Sequence, residues 1–106
     1  MITIEEFSKL DLRIATIKAV EPHPKADKLL VLKADLGGEE RQLVAGIKTH
    51  YTPEELVGKQ IVVVTNLQPA KLRGVESQGM LLAALDGESV VILTPEKPVS
   101  PGSQVK

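Results

Sequence analysis

The sequence has no cysteine and no tryptophan, and only one phenylalanine and one tyrosine. Without cysteine there is no disulfide framework, no thiolate zinc site and no cysteine nucleophile. Two aromatic side chains cannot form a platform on which successive unpaired bases stack. Phe7 is expected in the core, and Tyr51 alone is left over. Uninterrupted apolar runs are short, such as Ile61 to Val64 and Met80 to Leu85. A bilayer span needs about 20 such residues, so no membrane association is expected. Met1 to Glu6 contains no basic region followed by an apolar one, so a cytoplasmic protein is expected. Histidine is scarce too. His23 and His50 are the only two, and no acidic triplet or His-x-x-x-His spacing accompanies them, so no metal or other cofactor is expected.

What remains is an ordinary soluble composition over 106 residues, 42% hydrophobic and 25% charged. The length fits one domain, residues 1–106. The formal net charge is only -1. Its distribution is less even. Residues 1–40 carry -2, residues 41–76 carry +2, and residues 77–106 carry -1. Lys59 to Val75 holds three cations and no acid. Electrostatic range at physiological salt is only about 8 Å, so a local cationic face can act on a polyanion despite a neutral total. Scattered charges on a soluble surface account for the same counts.

The pattern is mostly β. Thr3 and Glu6 fit a capping box before a short helix carrying Phe7. Leu12 to Val20 is β-branched with imperfect alternation, which predicts a strand with a bulge. Leu29 to Leu36 alternates cleanly, Gly37-Gly38 turns the chain, and Arg41 to Ala45 returns. Thr52-Pro53-Glu54-Glu55 predicts an N-cap, a first-turn proline and a capping box. Gln60 to Thr65 predicts a strand buried on both faces. Asn66 to Gln78 reads as a long polar connection, and Met80 to Leu85 and Val90 to Leu93 as a final hairpin. Pro95, Pro98 and Pro101 keep the tail extended. Short strands at this spacing predict a small closed barrel, of OB or SH3-like order.

Chemistry is sparse. No Gly-x-Ser-x-Gly elbow and no phosphate-binding Gly-Lys loop is present. Ser77 precedes Gln78-Gly79, a common turn context, and Asp27 and Glu76 read as surface carboxylates. Lys71 and Arg73 lie two apart in a stretch expected to be extended, which would aim both the same way. Gly74 and Gly79 flank Ser77 and would allow a ligand close to the backbone. Met80 would ordinarily be core, although its flexible side chain can also pack on a base or sugar.

Four segments carry a resemblance, in order: Asp11-Leu12-Arg13-Ile14, His23 to Leu29, Leu43 to Ile47 and, above all, Asn66 to Ala84. Together they resemble the structure-specific tRNA-binding OB-fold domain, found in methionyl-tRNA synthetases and in free-standing tRNA-binding proteins. The resemblance implies an all-β fold, a five-stranded OB barrel with short helices and extra N- and C-terminal segments. It implies a noncatalytic module that grips the outside corner of folded tRNA without cofactors. Partners implied are tRNA, a second copy in a homodimer, and the catalytic part of methionyl-tRNA synthetase. Asn66, Lys71, Arg73, Ser77 and Met80 match the family's RNA-binding positions, with Arg13, Lys28, Arg41 and Lys48 carried over beside them. In that reading Lys71 and Arg73 neutralise phosphates, Asn66 and Ser77 hydrogen-bond the RNA backbone, and Met80 packs at the contact. Two rivals differ in class: a peptide-binding, secretion-chaperone-like homodimer, and a pure dimerisation domain of the synthetase. The chaperone branch lacks the His-Pro-x-Ala-Asp and Ser-x-Gly-Met segments kept here as His23 to Asp27 and Ser77 to Met80.

Overall fold

A computed structural model describes residues 1–106. Thr3 caps a single helical turn, α1 (Ile4–Phe7), through both halves of a capping box with Glu6. The helix buries no residue completely, and Phe7 is half-buried and outside the core, contrary to the sequence expectation. One turn is too short to present a full apolar stripe to the barrel.

Five strands then build the barrel: β1 (Leu12–Pro22), β2 (Leu30–Asp35), β3 (Glu40–Ala45), β4 (Gln60–Val64) and β7 (Met80–Leu81). They pair antiparallel in the order β3-β2-β1-β4-β7. Within the barrel β1 serves two neighbours. Its first half pairs β4 and its second half pairs β2, with a register shift between Ile17 and Ala19. That is the bulge expected from the broken alternation, and it bends the strand from one side of the barrel to the other. Alternate side chains fill the interior: Ala15, Ile17, Leu30, Leu32, Leu43, Ile61 and Val63 are essentially inaccessible. Burying each of the Leu, Ile and Val side chains among them contributes about 1.5–3 kcal/mol.

Helix α2 (Pro53–Leu56) plugs one end of the barrel with the buried Leu56. Thr52 caps it, accepting from the Glu55 N–H at 3.3 Å. Glu55 meets only the Thr52 hydroxyl, so the reciprocal half of the expected capping box is missing.

The connection expected over Asn66–Gln78 contains a hairpin, β5 (Ala70–Leu72) and β6 (Val75–Ser77). The expected single strand from Met80 to Leu85 divides at Leu82. Leu82 donates to Val62 in the barrel and accepts from Leu93, so the chain changes partners there. β8 (Ala83–Asp86) then pairs β9 (Ser89–Ile92) as a separate hairpin. β10 (Gln104–Val105) returns to β1 opposite Leu12 and Arg13. No helix is long and apolar enough to cross a membrane.

Candidate nucleic-acid interface

The barrel does not close by a strand ladder between β3 and β7. Single hydrogen bonds, most of them through side chains, bridge the gap. Ser77 Oγ accepts from the Val44 N–H at 3.0 Å and donates to the Gly79 carbonyl at 2.8 Å. Gln42 donates its backbone N–H to Gln78 Oε1 at 3.0 Å and accepts from the Gln78 N–H at 2.8 Å. Its side-chain amide reaches the Glu76 carbonyl at 2.8 Å.

These bonds bear on two sequence expectations. Ser77 is only 4% exposed, and its hydroxyl, engaged on both sides, helps to seal the barrel. Gly79 has φ 142° and lies so close to β4 that a Cβ would stand 2.9 Å from the Val64 carbonyl oxygen. Its lack of a side chain admits strand β4, not a ligand.

The remaining predicted residues fall into two groups. The first surrounds Asp11 and Thr65. The Arg13 Nε–H meets the Asp11 carboxylate at 3.1 Å, and Nη1 donates to the Gly102 carbonyl. Arg41 donates to the Thr65 and Gln78 carbonyls and pairs with Glu39. Asn66 accepts from the Asp11 N–H at 2.8 Å and donates to the Lys9 carbonyl at 2.7 Å. The Thr65 hydroxyl at 2.7 Å and Arg13 hold the Asp11 carboxyl below its ordinary value of 3.8. All three predicted residues here spend much of their hydrogen-bonding capacity on the protein, and both arginines are paired with acids.

The second group is different. Lys71 and Arg73 are exposed on the β5–β6 hairpin, with Arg73 at its tip. Arg73 has φ 53° and Gly74 φ 88°, the paired positive angles of a type I′ turn, so Arg73 is not extended as expected. His23, in the β1–β2 loop, donates from Nε2 to the Leu72 carbonyl at 2.8 Å and accepts at Nδ1 from the Lys25 N–H at 2.9 Å. Lys28 closes the same loop, and its carbonyl accepts from the Lys48 N–H. Lys25, Lys28, Lys48, Lys71 and Arg73 therefore come from three separate segments to one end of the barrel. The same segments supply only Asp27 and Glu76 as acids, and none of the five cations forms an ion pair. Met80, on β7, is 49% exposed. No three His, Asp or Glu side chains gather in a way that could hold a metal ion.

Residues 12–104 match the family described as "Putative tRNA binding domain". The chain belongs to that family. It is 61% identical over 105 residues to a methionine–tRNA ligase of Pyrococcus furiosus, and 60% identical over 104 residues to one of Thermotoga maritima. These alignments cover 99% and 98% of this chain but only 14% and 16% of the ligases, so the chain spans about one-seventh of their length. In structure it matches a MetRS-related protein from Pyrococcus horikoshii with TM-score 0.94 at 37% identity, over 100% of this chain and 98% of that one. The chaperone CsaA from Bacillus anthracis matches with TM-score 0.90 at 33% identity, over 100% and 99%.

Sequence reasoning within the family did not single out two residues at this end, the cation Lys25 and the His23 that touches the hairpin. His23 reads as a turn residue between two prolines. The available signal was a histidine at a strand end in a loop carrying two lysines. OB barrels bind nucleic acid with the loop after their first strand and the loop before their last.

Proposed function

We propose that this chain is a noncatalytic tRNA-binding module, acting as one domain of residues 1–106 in the cytoplasm. It works as a homodimer and alongside the catalytic part of a methionyl-tRNA synthetase, raising the local concentration of tRNA. The observation that carries this reading is the convergence of five unpaired cations from the β1–β2 loop, the segment after β3 and the β5–β6 hairpin. Cations without carboxylate partners are free to neutralise phosphates. Arg73 offers a planar fork and the lysines mobile point charges. The surface has no aromatic stack, which suits a folded RNA recognised by backbone geometry. Tyr51 is half-buried, and its hydroxyl accepts from the Ile92 N–H. Asn66 and Met80 extend the contact along the barrel; Arg13 and Arg41 shape it.

The test is a salt series of tRNA binding with the Lys71→Ala/Arg73→Ala double variant. The expected result is uniform weakening across elongator tRNAs and a log–log salt slope shallower by about 1–2, roughly one per lost phosphate contact. An unchanged slope would remove these side chains from the interface.

A second reading has one observation in its favour. A groove of about 330 Å³ lies between the end of β3 and the β8–β9 hairpin, lined mainly by Val44, Ala45, Ile47, Met80, Leu81 and Leu85. Such a groove fits an apolar peptide, and the structural kinship includes a chaperone. Peptide binding would persist in high salt, whereas tRNA binding would not. A pure dimerisation domain would keep its size-exclusion mass unchanged when tRNA is added.

A further inference from the structure

His23 is only 5% exposed, and both ring nitrogens are in use. Because Nδ1 accepts from the Lys25 amide, the ring proton sits on Nε2, where it is donated to the Leu72 carbonyl. The two bonds differ in reach. The first is local to the β1–β2 loop. The second crosses 49 residues of sequence to the tip of the β5–β6 hairpin.

Little else holds that tip. The hairpin root is tied to β3 through Ser77, Gln78 and the Glu76 carbonyl. From Ala70 to Val75, the bond to His23 is the only hydrogen bond leaving the hairpin. Leu72 is itself exposed, so apolar packing of the tip is partial. A two-stranded hairpin is marginal unless something outside it holds it. The residues on either side of Leu72 are Lys71 and Arg73.

We propose that His23 is a positioning residue for polyanion binding: it latches the hairpin to the β1–β2 loop, so that Lys71 and Arg73 stand ready beside Lys25, Lys28 and Lys48. The inference rests on the tRNA-binding reading for its consequence, but the latch can be tested apart from it. Preorganised contacts spare the ordering entropy that a loose hairpin would lose on binding.

Two substitutions separate the bonds. A glutamine amide can present N–H near the Nε2 position, keeping the Leu72 bond. An asparagine can present oxygen near the Nδ1 position, keeping only the Lys25 bond. We expect His23→Asn to weaken tRNA binding about three- to tenfold, the range of one net hydrogen bond. His23→Gln should restore most of it. In a Lys71→Ala/Arg73→Ala background His23→Asn should cost nothing further, since positioning acts only through those two cations. Amide exchange at Leu72 and Val75, the ladder pair next to the turn, should quicken in His23→Asn and not in His23→Gln. His23→Ser replaces His23→Asn should the latter not fold.

Wild-type affinity in folded His23→Asn, or an equal loss in the background lacking both cations, overturns the positioning role. If the wild-type chain retains no tRNA, the functional reading fails, and the latch is judged by exchange alone. Unchanged hairpin exchange in His23→Asn then overturns it.

Discussion

Arg73 stands in the left-handed region, where an ordinary L-residue is disfavoured by roughly 1–2 kcal/mol and Asn or Gly is not. A turn optimised for stability would read Asn-Gly. Arg73→Asn is therefore expected to raise stability in urea by about 0.5–1 kcal/mol while weakening tRNA binding. A variant that gains stability and keeps full affinity would leave the arginine without a role. Asp11 makes a pH prediction. Its carboxyl is held below the ordinary 3.8 by the Thr65 hydroxyl first and Arg13 next. A depressed folded value contributes stability above the unfolded value, and that contribution is lost as pH falls through the folded value. Thermal melts between roughly pH 5 and pH 2 should decline more steeply for the wild type than for Asp11→Asn. At this scale the sequence disclosed identities better than roles. Lys71 and Arg73 were legible as unpaired cations because Lys59 to Val75 contains no acid. Ser77 was not, because its burial depends on Val44, 33 residues away, and a hydroxyl serves a backbone amide as readily as a phosphate.

Among the elements, the seam between β3 and β7 is the most exposed to single substitutions. Ser77→Ala leaves the buried Val44 N–H unpaired and is expected to cost about 1–3 kcal/mol. Its tRNA salt slope should match the wild type, since no phosphate contact is lost. A slope reduced by one would return Ser77 to the interface. Most barrel strands were readable in advance, Leu29 to Leu36 from its alternation and Gln60 to Thr65 from its β-branched run, each bounded by turn residues. The bulge near Lys18 was readable too, from the broken alternation of Leu12 to Val20. The β5–β6 hairpin escaped because β5 is exposed throughout and each strand is three residues long, too short for a pattern to show. The division at Leu82 escaped because changing partners alters no side-chain type.

For the whole molecule, the apolar surface bears on assembly. Ile2, Ile4 and Leu10 are exposed at the N-terminus, and Leu85, at 77%, with Val91 on the β8–β9 hairpin. Large apolar side chains left exposed on a small protein are candidates for an interface. A homodimer is expected by sedimentation at micromolar concentration, and Ile4→Asp should shift it toward monomer; at dilutions where both are monomeric the barrel should melt alike, because α1 contributes nothing to the core. A dimer indifferent to that charge would place the contact elsewhere.

β10 lies against the start of β1, so the chain enters and leaves the barrel at neighbouring points, while His23 follows the far end of that same strand. A flexible tether fused at residue 1 or at residue 106 would therefore emerge from one pole and leave the opposite pole open to its cargo. Grafting this unit onto an unrelated carrier, in either orientation, should need no redesign of the linker.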